Sequence, residues 1–128
     1  MSGTDISVTS PVAPESIAEY HAHVYYDPAT SRGRAETLRE RIAQRFPQAQ
    51  LGRWHDAHVG PHPGSTYQVA FPAAMLAEFV PWLMLNRAGL DVLLHPETGD
   101  DYAEHALHAV WFGQSLPLKL EQFDKRQS

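Results

Sequence analysis

Two hydrophobic periodicities run along the chain and predict strands and helices in a definite order. Alternating or short apolar segments predict strands at Tyr20–Tyr26, Leu51–Asp56, Tyr67–Phe71 and Leu90–His95. Apolar residues recur every three or four positions before Pro47 and across about Ala73–Arg87, which predicts two helices. The order βαββαβ is that of an α+β, ferredoxin-like antiparallel sheet with helices on one face.

The remaining segments predict how this core is bounded. Residues 1–16 are rich in Ser, Thr and Pro and predict a disordered leader, residues 17–123 a single domain, and residues 124–128 a frayed tail. Asp101–Ala109 predicts a short helix, and Trp111–Gly113 with the alternating leucines up to Leu120 predicts an edge strand. The second long helix is apolar around much of its circumference, which predicts burial by a second subunit and hence a homodimer.

Composition excludes several classes of function. The 128 residues carry a net charge of -5, and the arginines of the first helix alternate with glutamates, so we expect no nucleic-acid partner. No apolar run has the length of a membrane span or signal peptide, which makes the cytoplasm the expected compartment and a membrane partner unexpected. The chain has no cysteine, so imidazole, carboxylate and hydroxyl groups remain for any chemistry.

The candidate chemistry rests on the 8 histidines. His21, His23 and Tyr25 share one face of the first strand, because strand side chains alternate. The ordinary interpretation of such a pair is a polar sheet face. In the predicted topology, however, the fourth strand lies beside the first, so His95 joins that face and His62 can reach it from its proline-flanked loop. Converging imidazoles indicate a metal site.

Other residues allow both structural and functional interpretations. His55 beside Asp56 is a ligand, a base or a surface pair. His105 on its short helix is either solvated or a proton shuttle, since imidazole titrates near neutral pH. Asp91 and Glu104 are the nearest carboxylates that could orient an imidazole or complete a two-histidine, one-carboxylate iron site.

Aromatic and basic residues are open to the same two interpretations. Tyr25, Trp54 and Trp111 could line an aromatic substrate pocket or belong to the core. Arg87 could bind a substrate carboxylate or simply cap its helix.

Several motifs in order resemble those of the DOPA 4,5-dioxygenase family over about residues 17–113. They are Tyr20-His21-Ala22-His23-Val24-Tyr25-Tyr26, Gly52-Arg53-Trp54-His55-Asp56, Val59-Gly60-Pro61-His62-Pro63, Asn86-Arg87 and His95-Pro96-Glu97-Thr98-Gly99-Asp100 followed by Glu104-His105. Glu104 stands where the family often has Asp. The resemblance implies a ferredoxin-like fold, Fe(II), O₂ and a small catechol substrate such as L-DOPA, cleaved beside its hydroxyls.

Under this resemblance we expect the metal ligands among His21, His23, His62 and His95, and His105 or His55 as acid/base. Arg87 or Arg53 would hold a substrate carboxylate, and Tyr25 would contact the ring. Zn²⁺ or Ni²⁺ could replace Fe(II) in purified protein, because imidazole clusters hold them more tightly. Two alternatives stay open: a non-enzymatic, dimeric metal- or small-molecule-binding domain, and an interaction module with solvated histidines.

Overall fold

A computed structural model describes residues 10–127, with side chains up to residue 123. Its helices and strands are β1 (Glu19–Tyr26), α1 (Arg32–Arg45), β2 (Gln50–Leu51), β3 (Ser65–Pro72), α2 (Leu76–Asn86), β4 (Val92–Pro96), α3 (Asp101–Ala106) and β5 (Val110–Phe112). Turns of 3-10 helix occur at Pro14–Ser16, Ala73–Met75 and Leu120–Gln127. The first nine residues of the predicted leader, and residue 128 of the predicted tail, lie outside the described residues.

The sheet has five strands in the order β2-β3-β1-β4-β5, and every pair is antiparallel. The first four strands have the ferredoxin-like arrangement that the sequence predicts, with β1 between β3 and β4. β5 adds a fifth strand next to β4. Because β1 is central, its side chains on both faces are covered by neighbouring elements.

The hydrophobic core lies between one face of the sheet and the first two helices. Ala22, Val24 and Tyr26 of β1 belong to it, as the alternation predicts. Leu38 and Ile42 of α1 are almost completely buried against this face. Buried side chains of this size each contribute about 1.5–3 kcal/mol by leaving water. This layer fixes the direction of β1 and therefore sends its odd-numbered side chains to the opposite face.

The opposite face is partly covered by α3, so helices lie on both sides of the sheet rather than on one alone. The Asp100 side chain caps α3 by accepting a hydrogen bond from the Ala103 N–H (3.1 Å). Ala103 and Glu104 are the buried residues of this helix. α3 therefore brings Glu104 and the adjacent His105 toward the face that carries the odd-numbered side chains of β1.

Two predicted strands are shorter than expected. β2 ends at Leu51, and the segment after it stays joined to β3 by the Gly52 N–H, which donates to the Gln68 carbonyl, and by an isolated bridge between His55 and Thr66. The last strand ends at Phe112, and the leucines that follow form no strand. Gly113 turns the chain away with a φ of 86°, and Pro117 lacks the N–H that a ladder needs.

α2 presents apolar side chains to the surface as well as to the core. Phe79 and Leu83 are buried, whereas Met84 is 60% and Leu85 85% exposed. The predicted homodimer would cover these side chains and stays a prediction. Within the described residues, every helix is too short or too polar to cross a membrane.

Candidate metal centre

Four histidines from four separate segments converge on the face opposite the core. They are His23 on β1, His62 in the loop before β3, His95 on β4 and His105 on α3. Ring centroids of His23 lie 4.3 Å from His62, 5.1 Å from His95 and 6.0 Å from His105. We call this set the histidine cluster. Its first three members are buried, and His105 is half-buried.

Strand register brings His23 and His95 together. His21 pairs with His95, and His23 pairs with Leu93, so His23 and His95 are diagonal neighbours on one face. Their Nε2 atoms are 3.0 Å apart. His95 Nδ1 donates to the Pro96 carbonyl (3.0 Å), which leaves Nε2 of neutral His95 without a proton. His23 Nε2 therefore faces the lone pair of His95 Nε2.

His62 reaches the cluster from a loop and His105 from α3, and their ring centroids are 6.0 Å apart. The backbone N–H of His62 donates to the Val59 carbonyl (3.2 Å) in a turn where Gly60 has a φ of 57°. The ring Nδ1 of His62 is hydrogen-bonded to the Tyr25 hydroxyl (2.5 Å). His105 Nδ1 donates to the Asp101 carbonyl one helical turn earlier (2.7 Å). In the neutral state its Nε2 then also carries a lone pair.

The spacing of these nitrogens suits a transition metal. One ligand atom from each of His23, His62 and His105 lies within 4.8 Å of the other two. Two imidazole nitrogens bound at right angles to one metal at about 2.1 Å are about 3.0 Å apart, which is the His23–His95 separation. Iron, zinc, copper and nickel all accept imidazole ligands. The donor set therefore fits such an ion and does not select among these metals.

Burial lowers the pKa of three members of the histidine cluster and keeps them neutral, as metal ligands must be. Burial lowers the pKa of His23 well below its usual value, and His62 and His95 lower it further. Burial, with nearby His105, lowers the pKa of His62 to about 4. Burial also lowers the pKa of His95 to about 4, although its hydrogen bond to Pro96 opposes the shift. All three imidazoles are thus uncharged near neutral pH.

His21 lies beside the histidine cluster, where its two ring nitrogens face carboxylates. Its Nε2 is 2.6 Å from Glu19 Oε2, and its Nδ1 is 3.6 Å from Glu97 Oε1. Its ring centroid is 5.4 Å from that of His95. The other three predicted ligands are linked through His23, whose ring centroid is 4.3 Å from that of His62 and 5.1 Å from that of His95.

His55 projects from the same face, farther along the sheet. It bridges to Thr66, which pairs with Tyr25, so register places all three on one face. His55 is close enough to help lower the pKa of His62. Among the ring contacts of the described residues, however, none joins His55 to the histidine cluster.

The two arginines that were predicted to bind a substrate carboxylate, Arg53 and Arg87, have surroundings that differ from those of the histidine cluster. Arg53 is exposed in the segment after β2. Arg87 donates to the Leu90 carbonyl (2.7 Å). Its Nη1 also lies close to Gly113, where a side chain would place its Cβ only 2.9 Å away. Arg87 thus stabilises the corner between α2 and β5.

The predicted aromatic residues divide between the two faces. Trp54 packs on the core side against Tyr67 (4.8 Å between centroids), whereas Trp111 contacts Tyr25 on the cluster side (5.6 Å). Sequence reasoning missed Phe123, which stacks on His105 (5.0 Å). Phe123 stands at the edge of the predicted tail, where no periodicity marks it.

The fold and the site together define a class: a ferredoxin-like domain with a buried cluster of histidines suited to a metal. The sequence model that describes the Dopa 4,5-dioxygenase family matches residues 20–122 of this chain. The chain belongs to that family.

Individual relatives agree with this assignment. A DOPA 4,5-dioxygenase from Amanita muscaria is 30% identical over 85% of this chain and 51% of its own length. An uncharacterised 21.2 kDa protein from Botryotinia fuckeliana is 37% identical over 67% of this chain and 51% of its own. The chain thus spans about half the length of these curated relatives.

A solved structure is similar over nearly the whole chain. It is a crystal structure from Nostoc punctiforme, provisionally assigned as a dioxygenase, with 49% sequence identity and a TM-score of 0.85. The similarity covers 92% of this chain and 100% of that one.

Proposed function

We propose that this protein is a metal-dependent, ring-opening dioxygenase that uses Fe(II) and O₂ to cleave a catechol such as L-DOPA beside its two hydroxyls. The observation that carries the proposal is the convergence of imidazoles: the Nε2 atoms of buried His23 and His95 are 3.0 Å apart, and ligand atoms of His23, His62 and His105 lie within 4.8 Å of one another. Family membership and the relatives' names support the same reaction class.

In this proposal, His23, His62 and His95 hold the metal. Their burial disfavours protonation, and two of the rings are held through the nitrogen that would not bind the metal: His62 by the Tyr25 hydroxyl and His95 by the Pro96 carbonyl. Three protein ligands leave positions for both catechol oxygens and O₂. Bound Fe(II) would supply coordination positions for the catechol and O₂ and would pass electrons from the ring to O₂, so that the catechol is the species oxidised.

His105 is proposed as the acid/base group. It is the least buried member of the histidine cluster, so it can exchange protons with solvent while its ring stays beside His95 (4.4 Å between centroids). A catechol must lose a hydroxyl proton to chelate a metal, and the ring-opened product must regain one. An imidazole at this position can accept the first proton and return the second.

The test is an anaerobic titration of metal-free, untagged protein with Fe(II), followed by L-DOPA and O₂. We expect a yellow ring-opened product that carries both atoms of ¹⁸O₂, as the balance of a dioxygenase reaction requires. His23→Ala should abolish iron binding and product, whereas His58→Ala, at an exposed residue outside the cluster, should retain both. Iron bound without product from any catechol would contradict the proposal.

A second candidate is a non-enzymatic metal-binding domain. The observation that favours it is the fourth imidazole, because four protein ligands close a tetrahedral site. This candidate predicts stable Zn²⁺ binding that also requires His105, with no product formed after Fe(II) loading.

A further inference from the structure

We infer that Glu104 is a positioning residue for the proposed metal centre, acting through His95. The inference rests on the proposed function, because it assigns a role toward the metal that the histidine cluster would bind. Glu104 is only 1% exposed. A carboxylate buried in this way is costly unless it is hydrogen-bonded and placed beside groups that favour its charge.

One oxygen of Glu104 is held by the turn between β4 and α3. Glu104 Oε2 accepts hydrogen bonds from the Thr98 N–H (2.6 Å), the Thr98 hydroxyl (3.2 Å) and the Gly99 N–H (2.9 Å). Three donors on one oxygen suit a carboxylate, which accepts and does not donate when ionised. The side chain is thus fixed by a local turn that is independent of the histidines.

The other oxygen of Glu104 faces His95. Its Oε1 is 3.7 Å from His95 Nδ1, the nitrogen that donates to the Pro96 carbonyl. His95 Nε2 points the other way, toward His23. The carboxylate therefore lies behind the ring, on the side away from the nitrogen available to a metal.

This geometry separates two roles for Glu104. Ligand atoms of Glu104, His95 and His105 also lie within 4.8 Å of one another, so proximity alone would allow Glu104 to be a ligand. The opposed directions of the two His95 nitrogens, and the three donors on Oε2, favour the positioning role. The Pro96 carbonyl fixes the tautomer of His95, and the carboxylate charge 3.7 Å from Nδ1 makes the metal-facing nitrogen more basic.

The test uses Co²⁺ as a spectroscopic probe on the metal-free full-length chain, comparing wild type with Glu104→Gln. The amide oxygen of the variant can still accept from the turn, but the negative charge beside His95 is lost. We expect Co²⁺ affinity to fall about 10–100-fold, while the visible spectrum of the saturated site keeps the wild-type shape. Urea unfolding of the metal-free proteins shows whether the change is confined to the metal site.

Glu97→Gln is the matched control, because Glu97 is an exposed carboxylate that faces His21 instead. It should bind Co²⁺ like wild type. If Glu104→Gln does not fold, Thr98→Val removes one donor to Oε2 at an exposed residue, and it should weaken Co²⁺ binding several-fold.

The outcomes separate the inference from the proposed function. Equal Co²⁺ affinity in wild type and the folded variants would overturn the inference alone. A changed spectrum at saturation would also overturn it, by making Glu104 a ligand. If wild type itself bound no Co²⁺, the proposed function would fail first.

Discussion

His105 is the residue at which ligand and proton-transfer roles separate most clearly. It is the most accessible member of the histidine cluster, and its Nδ1 is held by the carbonyl of Asp101. If it transfers protons, its loss should slow chemistry and leave the metal in place. We predict that His105→Gln retains stoichiometric Fe(II) and loses about 10²- to 10⁴-fold in turnover.

Metal analysis and steady-state rates on the same preparation check this prediction. His108→Gln is the control, because His108 lies on the same turn of chain and is exposed; it should behave like wild type. Loss of iron from His105→Gln would instead make His105 a fourth ligand and favour the non-enzymatic binder.

At the scale of elements, the backbone is strained just after the C-terminal end of α2. Ala88 has a φ of 58°, in the left-handed region that Cβ disfavours, and Gly89 follows at 75°. Glycine is the usual left-handed residue after a helix, but here the left-handed turn already begins at Ala88, one residue before Gly89. The Ala88 carbonyl accepts a hydrogen bond from Arg34 (2.5 Å), which helps to hold this conformation.

We therefore predict that Ala88→Gly raises the free energy of unfolding by about 0.5–1 kcal/mol, since relief of strain exceeds the added entropy of the unfolded chain. Urea unfolding measures the change. Ala77→Gly, at an exposed position inside α2, is the control and should lower the free energy by a similar amount. Destabilisation by Ala88→Gly would show that the strain is not relieved.

Elements also show which parts of the fold were readable from sequence. The alternation of β1 predicted both of its faces correctly, because period two leaves one choice once Ala22 and Val24 are assigned to the core. The end of β2 was not readable. Gly52 still donates to the Gln68 carbonyl (2.7 Å), and only the path of the loop decides that regular pairing stops there.

The cluster was only partly predictable for a related reason. His23 and His95 follow from strand order and register, the predicted topology lets the loop of His62 reach the same face, and the resemblance pointed to both His62 and His105. The contact of His105 with the cluster depends on how α3 folds back across the sheet, which no periodicity encodes. His21 shares the predicted face, and its ring lies 5.4 Å from that of His95 while its Nε2 contacts Glu19.

At the scale of the whole molecule, the buried imidazoles couple folding to pH. The pKa values of His62 and His95 are about 4 in the folded protein, against about 6.5 in an unfolded chain. Between these values the unfolded state binds more protons. The contribution of these two histidines to the free energy of unfolding is therefore fully present above about pH 6.5 and is lost as the pH falls toward 4.

We predict that metal-free protein loses several kcal/mol across this window, with roughly 3 kcal/mol per histidine as an upper bound. Urea unfolding in the presence of a chelator, from pH 7.5 to 4, measures the loss. His62→Asn should have a smaller pH slope than wild type. A stability that is independent of pH over this range would show that the cluster is not buried in neutral form.

The central claim is that imidazoles distant in sequence hold one metal ion, and X-ray absorption of the Fe(II)-loaded protein tests it most directly. We predict one iron per chain, with imidazole nitrogens at about 2.1 Å and an imidazole signal that weakens in His95→Ala. Iron coordinated without an imidazole signal, or a spectrum unchanged by His95→Ala, would contradict the account.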